Sequence, residues 1–98
     1  MVSNVKIDSA ARQEFDDAFD WYAKRSTGAA IGFAAEIDAA IEMIKADPPR
    51  FPKTFAGCQR CSVERYPYSV VFYRNGGEIV IVAFAHSKRR PAYWQHRT

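Results

Sequence analysis

Residues 65–97 read RYPYSVVFYRNGGEIVIVAFAHSKRRPAYWQHR, and this stretch decides the fold. Two apolar runs flank Asn75-Gly76-Gly77, whose residues accept positive φ, so the pattern predicts a β-hairpin. The second run, Ile79 to Ala85, is apolar throughout, as expected of a central strand. A short tail follows, and its density of cations and aromatic rings indicates a functional surface. These tail residues are His86, Lys88, Arg89, Arg90, Tyr93, Trp94, His96 and Arg97.

The hairpin also predicts which side chains share a face of the sheet. A two-residue loop at Asn75-Gly76 pairs Arg74 with Gly77, whereas a four-residue loop pairs it with Ile79. Because these registers differ by two residues, both predict the same faces. The face expected to carry the helices comprises Tyr66, Tyr68, Val70, Phe72, Ile79, Ile81, Ala83 and Ala85. The opposite face, with Arg65 and His86 at one end, comprises Arg65, Ser69, Val71, Tyr73, Glu78, Val80, Val82, Phe84 and His86.

The first half of the chain predicts one strand and two helices. Val2 to Ile7 is the strand, and Asp8 or Ser9 then caps a helix from Ala10 to about Lys24. A second helix runs from about Ala29 to Ala46 and ends before two prolines. Each helix carries one apolar stripe at helical spacing. The stripes are Ala11, Phe15, Ala18 and Tyr22 in the first helix, and Phe33, Ile37, Ala40, Ile41 and Ile44 in the second.

The remaining elements complete an α+β domain spanning residues 1–98. A proline-containing connector from Arg50 to Gly57 leads to strands at Cys61 to Tyr66 and Tyr68 to Arg74. The element order is therefore β-α-α-β-β-β. We expect a helical hairpin packed on one face of an antiparallel-rich sheet, followed by a short C-terminal tail or helix. Pro91 is expected to start a last helical turn that docks Trp94 on the sheet.

The charge of the chain is distributed unevenly between its halves. Residues 1–49 carry five Lys/Arg and nine Asp/Glu, a net −4, whereas residues 50–98 carry nine Lys/Arg and two Asp/Glu, a net +7. This asymmetry suggests that one surface faces a polyanion or an acidic partner. No apolar run is long enough for a membrane span, and no signal peptide is visible at the N-terminus. A cytoplasmic location without membrane contact is the expectation.

The sequence offers little for a metal or cofactor. Cys58 and Cys61 form one CxxC, and the available complement, His86 and His96, lacks the spacing of a zinc finger. The motif precedes a strand, so it is not in the position of a thioredoxin-like redox centre. Two reduced thiols are the expected state. The glycines form no phosphate loop, and we expect no metal and no cofactor.

One set of residues has the composition of a metal-free ribonuclease site. Arg65, His86, Arg90 and Tyr93 together provide cations for a phosphate and a titratable pair for proton transfer. The competing interpretation is structural: His86 as a hydrogen-bonded strand end, residues 88–90 as a solvated charge run, and Tyr93-Trp94 as a lid over the core. Trp21-Tyr22 in the first helix is interpreted as core and boundary packing.

The chain resembles the ParE/RelE superfamily of toxins from bacterial type II toxin–antitoxin systems, also called plasmid stabilisation proteins. The resemblance extends over almost the whole chain and depends on the order and spacing of four features. They are Asp20-Trp21-Tyr22, the second helix closing in Asp47-Pro48 and Phe51-Pro52, the step Arg65-Tyr66-Pro67-Tyr68 with Tyr73 beyond it, and the ending His86-x-x-Arg89-Arg90-Pro91-x-Tyr93-Trp94-x-x-Arg97. The derived element order is that of this family's fold.

The resemblance implies a toxin that a cognate antitoxin neutralises in a hetero-oligomer. RelE-like members cut mRNA in the ribosome, and Arg90 (or Arg89), Tyr93 and, more loosely, Arg65 match their working residues. ParE-like members instead poison DNA gyrase. Pro-Tyr-Ser at positions 67–69 is the ParE-like form, whereas RelE-like chains usually carry a basic residue in this strand. The resemblance therefore favours gyrase binding over mRNA cleavage.

A third possibility is an inactive antitoxin-binding module. The residues expected to bind a target or antitoxin are Arg65, His86, Lys88, Arg89, Arg90, Tyr93, Trp94 and Arg97.

Overall fold

The computed structural model describes residues 4–98, in which two helices and a four-stranded sheet follow the predicted order. The α+β class is therefore confirmed, although the start of the first predicted strand, Val2-Ser3, lies outside the described residues. The elements are β1 Asn4–Ile7, α1 Ser9–Ala23, α2 Thr27–Ala46, β2 Gln59–Ser62, β3 Tyr68–Asn75 and β4 Glu78–His86, with 3-10 turns at Pro48–Arg50, Phe55–Gly57 and Gln95–Arg97.

Both helices begin at side-chain caps. The carboxylate of Asp8 accepts a hydrogen bond from the N–H of Ala10 at 2.9 Å, as predicted for α1. The hydroxyl of Ser26 accepts one from the N–H of Ala29 at 3.2 Å, so the residues that end α1 also start α2. Each cap satisfies an N–H that the first helical turn cannot pair internally. Within residues 4–98, neither helix combines the length and the apolar composition that a membrane span requires.

The helices pack on one face of a mixed sheet with strand order β1-β4-β3-β2. β1 runs parallel to β4, and the other neighbours are antiparallel. Arg74 pairs with Ile79 and Asn75 with Glu78, so the hairpin has the second of the two predicted registers and closes on Gly76-Gly77. Gly76 has φ +63°, a value that side chains disfavour. The predicted helix stripes lie in the core beneath these strands.

A β-bulge in β4 changes the predicted faces. Val71 pairs with Ala83, but the next residue of β3, Phe72, pairs with Ile81, so Val82 is an extra residue on β4. A bulge reverses the alternation of every side chain beyond it. Phe84 consequently lies in the helix-side core, whereas Ala83 and Ala85 face the other side. The prediction was wrong for these residues and for His86, which lies on the helix side.

The strand predicted at Cys61 to Tyr66 was also placed wrongly. β2 is Gln59–Ser62, and a turn occupies the residues before β3. Arg65 has φ +70° in this turn and belongs to no strand. The predicted position of Arg65 on the sheet face opposite the helices is therefore incorrect. The turn directs the ring of Tyr66 into the helix-side core.

The C-terminal tail forms a second small core on the sheet face opposite the helices. Trp94 is 6% exposed and packs there with Cys58, Val71, Val82, Ala83 and Ala85. The predicted docking of Trp94 on the sheet is confirmed. Its burial fixes one end of the tail against the strands, because covering an indole removes a large apolar area from water.

Candidate functional site

The polar side-chain contacts of the tail meet at Glu14, a residue of α1. Its carboxylate accepts hydrogen bonds from the Tyr93 hydroxyl at 2.7 Å, from Nη1 of Arg97 at 3.0 Å and from the backbone N–H of Phe84 at 3.1 Å. The side chains of Glu14 and Arg97 are only 15% and 12% exposed. Charge-assisted bonds shielded from water in this way are stronger than those on an open surface. Glu14 thus connects α1, β4 and the tail.

Glu14 and Arg97 together cover the edge of β4. The pairing of β1 with β4 extends to Ile81, where α1 follows β1. Just beyond that point, Nη1 of Arg97 donates to the carbonyl of Val82 at 2.9 Å, and Phe84 donates its N–H to Glu14. A carboxylate and a guanidinium therefore supply the acceptor and donor that a neighbouring strand would otherwise provide.

Tyr93 lies between this ion pair and Arg89. The Arg89 guanidinium is 3.9 Å from the centre of the Tyr93 ring, within the range of a cation–π contact. Burial raises the pKa of the Tyr93 phenol, and the hydrogen bond to Glu14 and its negative charge raise the pKa further, against the opposing effect of Arg89 and Arg97. The phenol is therefore held as a neutral donor and is a poor proton acceptor near neutral pH.

A cleft of about 560 Å³ opens between α1 and the ends of β3 and β4. Its aromatic walls include Trp21, Tyr22 and Tyr68, and its charged rim includes Asp17 and Arg89. Trp21 is 51% exposed and holds the Arg25 guanidinium 3.5 Å from its ring centre. The sequence-based placement of Trp21 in the core or its boundary is wrong, whereas Tyr22 does pack against the core.

His86 lines this cleft rather than the opposite face of the sheet. Its ring meets Tyr68 edge-on, with ring centres 5.0 Å apart. Nδ1 of His86 accepts the backbone N–H of Lys88 at 3.0 Å, which places the proton of the neutral ring on Nε2. The half-buried imidazole thus anchors the first turn of the tail at its base. Arg89 borders the same cleft, so these two predicted residues are brought together.

The other predicted site residues are dispersed. Arg65, with a side chain 83% exposed, lies beside α2 with its Nε 4.0 Å from Glu36. Lys88 and Arg90 are exposed, and so is His96. Trp94 is buried on the far face, as described above. The residues Arg65, His86, Arg90 and Tyr93 therefore do not meet at one point. Tyr93 and Arg97 instead both bond to Glu14, and Arg89 stacks on Tyr93.

The two cysteines lie on opposite faces of the sheet. Cys58 belongs to the core beneath Trp94, and Cys61 belongs to the core beneath the helices. Burial raises the pKa of both thiols, although the Trp94 indole opposes this effect at Cys58 and the charge of Arg50 opposes it at Cys61. Among residues 4–98, no cluster of three or more His, Cys, Asp or Glu side chains is arranged to hold a metal ion.

Sequence reasoning missed Glu14, although a signal was present. Glu14 is three residues after Ala11 and four before Ala18, both members of the buried stripe of α1. A carboxylate at that spacing points towards the core and needs donors there, since an unpaired buried charge is costly. The sequence does not show that those donors come from residues 84, 93 and 97.

Comparisons with known proteins identify the family. The sequence model described as "ParE toxin of type II toxin-antitoxin system, parDE" matches residues 5–91. A solved structure of the chromosomal ParDE TA system from P. aeruginosa contains a chain of the same fold, with a TM-score of 0.74 at 21% identity over 89% of this chain and 98% of that chain. No curated protein matches the sequence. On the strength of the match over residues 5–91, the chain belongs to the ParE toxin family of type II toxin–antitoxin systems.

Proposed function

We propose that this ParE-family toxin inhibits growth by binding a protein target, DNA gyrase, and that a cognate antitoxin neutralises it. The observation that carries the choice of protein binding over RNA cleavage is the hydrogen bond of Tyr93 to Glu14. A ribonuclease of the kind considered above needs Tyr93 as a proton donor or acceptor at the scissile phosphate. Here the hydroxyl donates to a carboxylate, and its raised pKa opposes release of the phenol proton.

The position of Arg65 supports the same choice. Phosphate stabilisation requires cations that converge on one point. Arg65 lies beside Glu36 on α2, whereas Arg89 is stacked on Tyr93 at the cleft. Protein recognition has no such requirement, because a broad surface of exposed cations and ring edges is sufficient. The exposed tail residues Lys88, Arg89 and Arg90 have this character.

A gyrase supercoiling assay with the purified chain tests the target. We expect inhibition that weakens as salt is raised, because exposed cations steer association. Arg90→Ala is expected to weaken the inhibition. Lys24→Ala is the matched control, since it removes an equally exposed positive charge at the end of α1. Normal supercoiling at excess toxin, together with cleavage of ribosome-bound mRNA, would establish the interferase alternative instead.

The antitoxin is proposed from family membership and from the charge of the second half of the chain. Residues 50–98 carry nine Lys/Arg and two Asp/Glu, which is complementary to an acidic segment. We expect the product of the adjacent gene to form a salt-sensitive complex with this chain and to restore growth when both are induced. Harmless expression of this chain alone would instead identify an inactive antitoxin-binding module.

A further inference from the structure

The tail of residues 88–98 is attached to the rest of the domain at very few polar points. Among the described residues, three side-chain hydrogen bonds join this tail to positions more than ten residues away. Two of them end on the carboxylate of Glu14, from Tyr93 and from Arg97. The third runs from Arg97 to the carbonyl of Val82. Trp94 adds apolar burial on the far face of the sheet.

We propose that Glu14 is a positioning residue for toxin activity: its carboxylate holds the tail so that Arg89 is presented to the target in one orientation. This inference depends on the proposed function in that the tail is taken as the target-binding surface. Glu14 lines the same cleft as Arg89, and the role proposed for it is to hold the tail through Tyr93 and Arg97.

The orientation of Arg89 depends on Glu14 through one intermediate ring. Tyr93 donates its hydroxyl to Glu14, which fixes the far end of the phenol. The guanidinium of Arg89 lies over the face of that phenol at 3.9 Å and at the border of the cleft. Because an exposed arginine otherwise samples many rotamers, a fixed ring beneath it reduces the entropy lost on binding. Loss of Glu14 therefore removes the preorganisation of Arg89 while Arg89 itself is retained.

The strand edge makes the docked position of the tail strongly preferred. When the tail leaves, Val82 loses the donor to its carbonyl, and Glu14 is left beside Phe84 without Arg97 or Tyr93. Undocking therefore exchanges three protein hydrogen bonds, two of them to a charged carboxylate, for bonds to water, and charge-assisted bonds of this kind are the stronger ones. The tail thus closes the edge of β4 and neutralises Glu14 in one step. The ion pair with Arg97 and the acceptor for the Phe84 N–H both require a side-chain oxygen at position 14.

Glu14→Ala and Glu14→Gln, compared with wild type, test the inference. Asp16→Ala is the matched control, because Asp16 is an exposed carboxylate on the same helix. Amide hydrogen exchange of residues 88–98 reports docking, and ultraviolet titration of the tyrosines reports the contact between Glu14 and Tyr93. Growth arrest at equal protein level reports activity. Gly32→Ala serves as a second control, since it disturbs the core between α2 and Tyr66 without touching the tail bonds.

For Glu14→Ala we expect exchange of the tail amides to accelerate about tenfold or more, and growth arrest to weaken by a similar factor. For Glu14→Gln we expect the titration of Tyr93 to move towards that of an ordinary phenol, because the negative charge is gone. Asp16→Ala is expected to match wild type in all three measurements. Gly32→Ala is expected to retain slow tail exchange and activity while folded.

Three results would overturn the inference. They are unchanged tail exchange in Glu14→Ala, a released tail with undiminished growth arrest, and an equal loss of activity in Gly32→Ala at matched folded population. The proposed target can fail separately. If growth arrest by the wild-type chain is lost in the Glu14 variants but the chain does not inhibit gyrase, gyrase is not the target and the positioning role of Glu14 is supported. A wild-type chain that is harmless contradicts both.

Discussion

The close approach of Gly32 to Tyr66 gives the sharpest stability prediction. Tyr66 follows β2, and its hydroxyl donates to the carbonyl of Ala29 in α2 at 2.9 Å. A Cβ added at Gly32 would lie 2.6 Å from that hydroxyl oxygen and 3.7 Å from Cζ of the same ring. The ring has little freedom to move, because it meets Tyr22 and Phe33 edge-on with ring centres 5.1 and 5.5 Å apart.

Gly32→Ala should therefore destabilise the fold although alanine favours helices. Alanine in place of a helical glycine contributes about 0.5–1 kcal/mol of stability. Against this, displacement of Tyr66 costs about 0.5–1.5 kcal/mol for the lost hydrogen bond. Forcing a methyl group into the packed core costs about 1–3 kcal/mol. We expect a net loss of about 0.5–4 kcal/mol in the free energy of unfolding.

Urea denaturation of a small set of variants measures this effect. Gly28→Ala is the matched control on the same helix, where the nearest atom, Oγ of Ser26, is 3.7 Å from the new methyl group. It should be neutral or stabilising by up to about 1 kcal/mol. In a Tyr66→Phe background the clashing oxygen is absent, so Gly32→Ala should become neutral or stabilising as well. A cost at Gly32 that is the same in both backgrounds would refute the steric explanation.

Three further predictions concern the tail, the thiols and the bulge. The pKa of Tyr93 is raised in the folded state above its usual value near 10, so its contribution to the free energy of unfolding is present at neutral pH and is lost as pH rises above about 10. In thermal denaturation at alkaline pH, Tyr93→Phe should therefore lose less stability with rising pH than wild type, and an identical pH profile would contradict this assignment. Cys58 and Cys61 are buried with raised pKa values, so a thiol reagent should label them at the rate of unfolding, and rapid labelling of the native protein would be inconsistent with their burial. Deleting Val82 would restore a regular ladder and keep Phe84 on the helix side, so circular dichroism should still show cooperative melting, whereas loss of the cooperative fold would show that the extra residue is required.

Local patterns were enough to predict most of the elements. The helices are visible because apolar side chains recur at a spacing that places them on one face, and Asp8 offers a side-chain oxygen to an unpaired N–H group of the first helix. Asn75-Gly76-Gly77 fixed the hairpin because few residues accept its backbone angles. These preferences depend on neighbours within a few positions, so the sequence displays them directly.

Features that depend on pairing between distant segments could not be predicted in this way. Val63 is buried and was assigned to a strand, yet the chain turns there and Arg65 adopts a positive φ. The bulge at Val82 leaves the sequence of β4 a continuous apolar run, in which an extra residue has no compositional mark. Because the parity of a strand depends on its partner, one inserted residue reversed the faces of Phe84 and His86.

The sequence by itself determined the element order, the two helices, the hairpin and the uneven charge, and with the family resemblance it predicts that the tail is the functional region. Tertiary structure alone decided what that tail contacts. Glu14 is separated by 79 and 83 positions from Tyr93 and Arg97, and chain spacing carries no information about contacts so distant. Two effects bring these groups together: Glu14 and Arg97 pair with backbone groups of Phe84 and Val82 at the edge of β4, and the burial of Trp94 removes apolar surface from water.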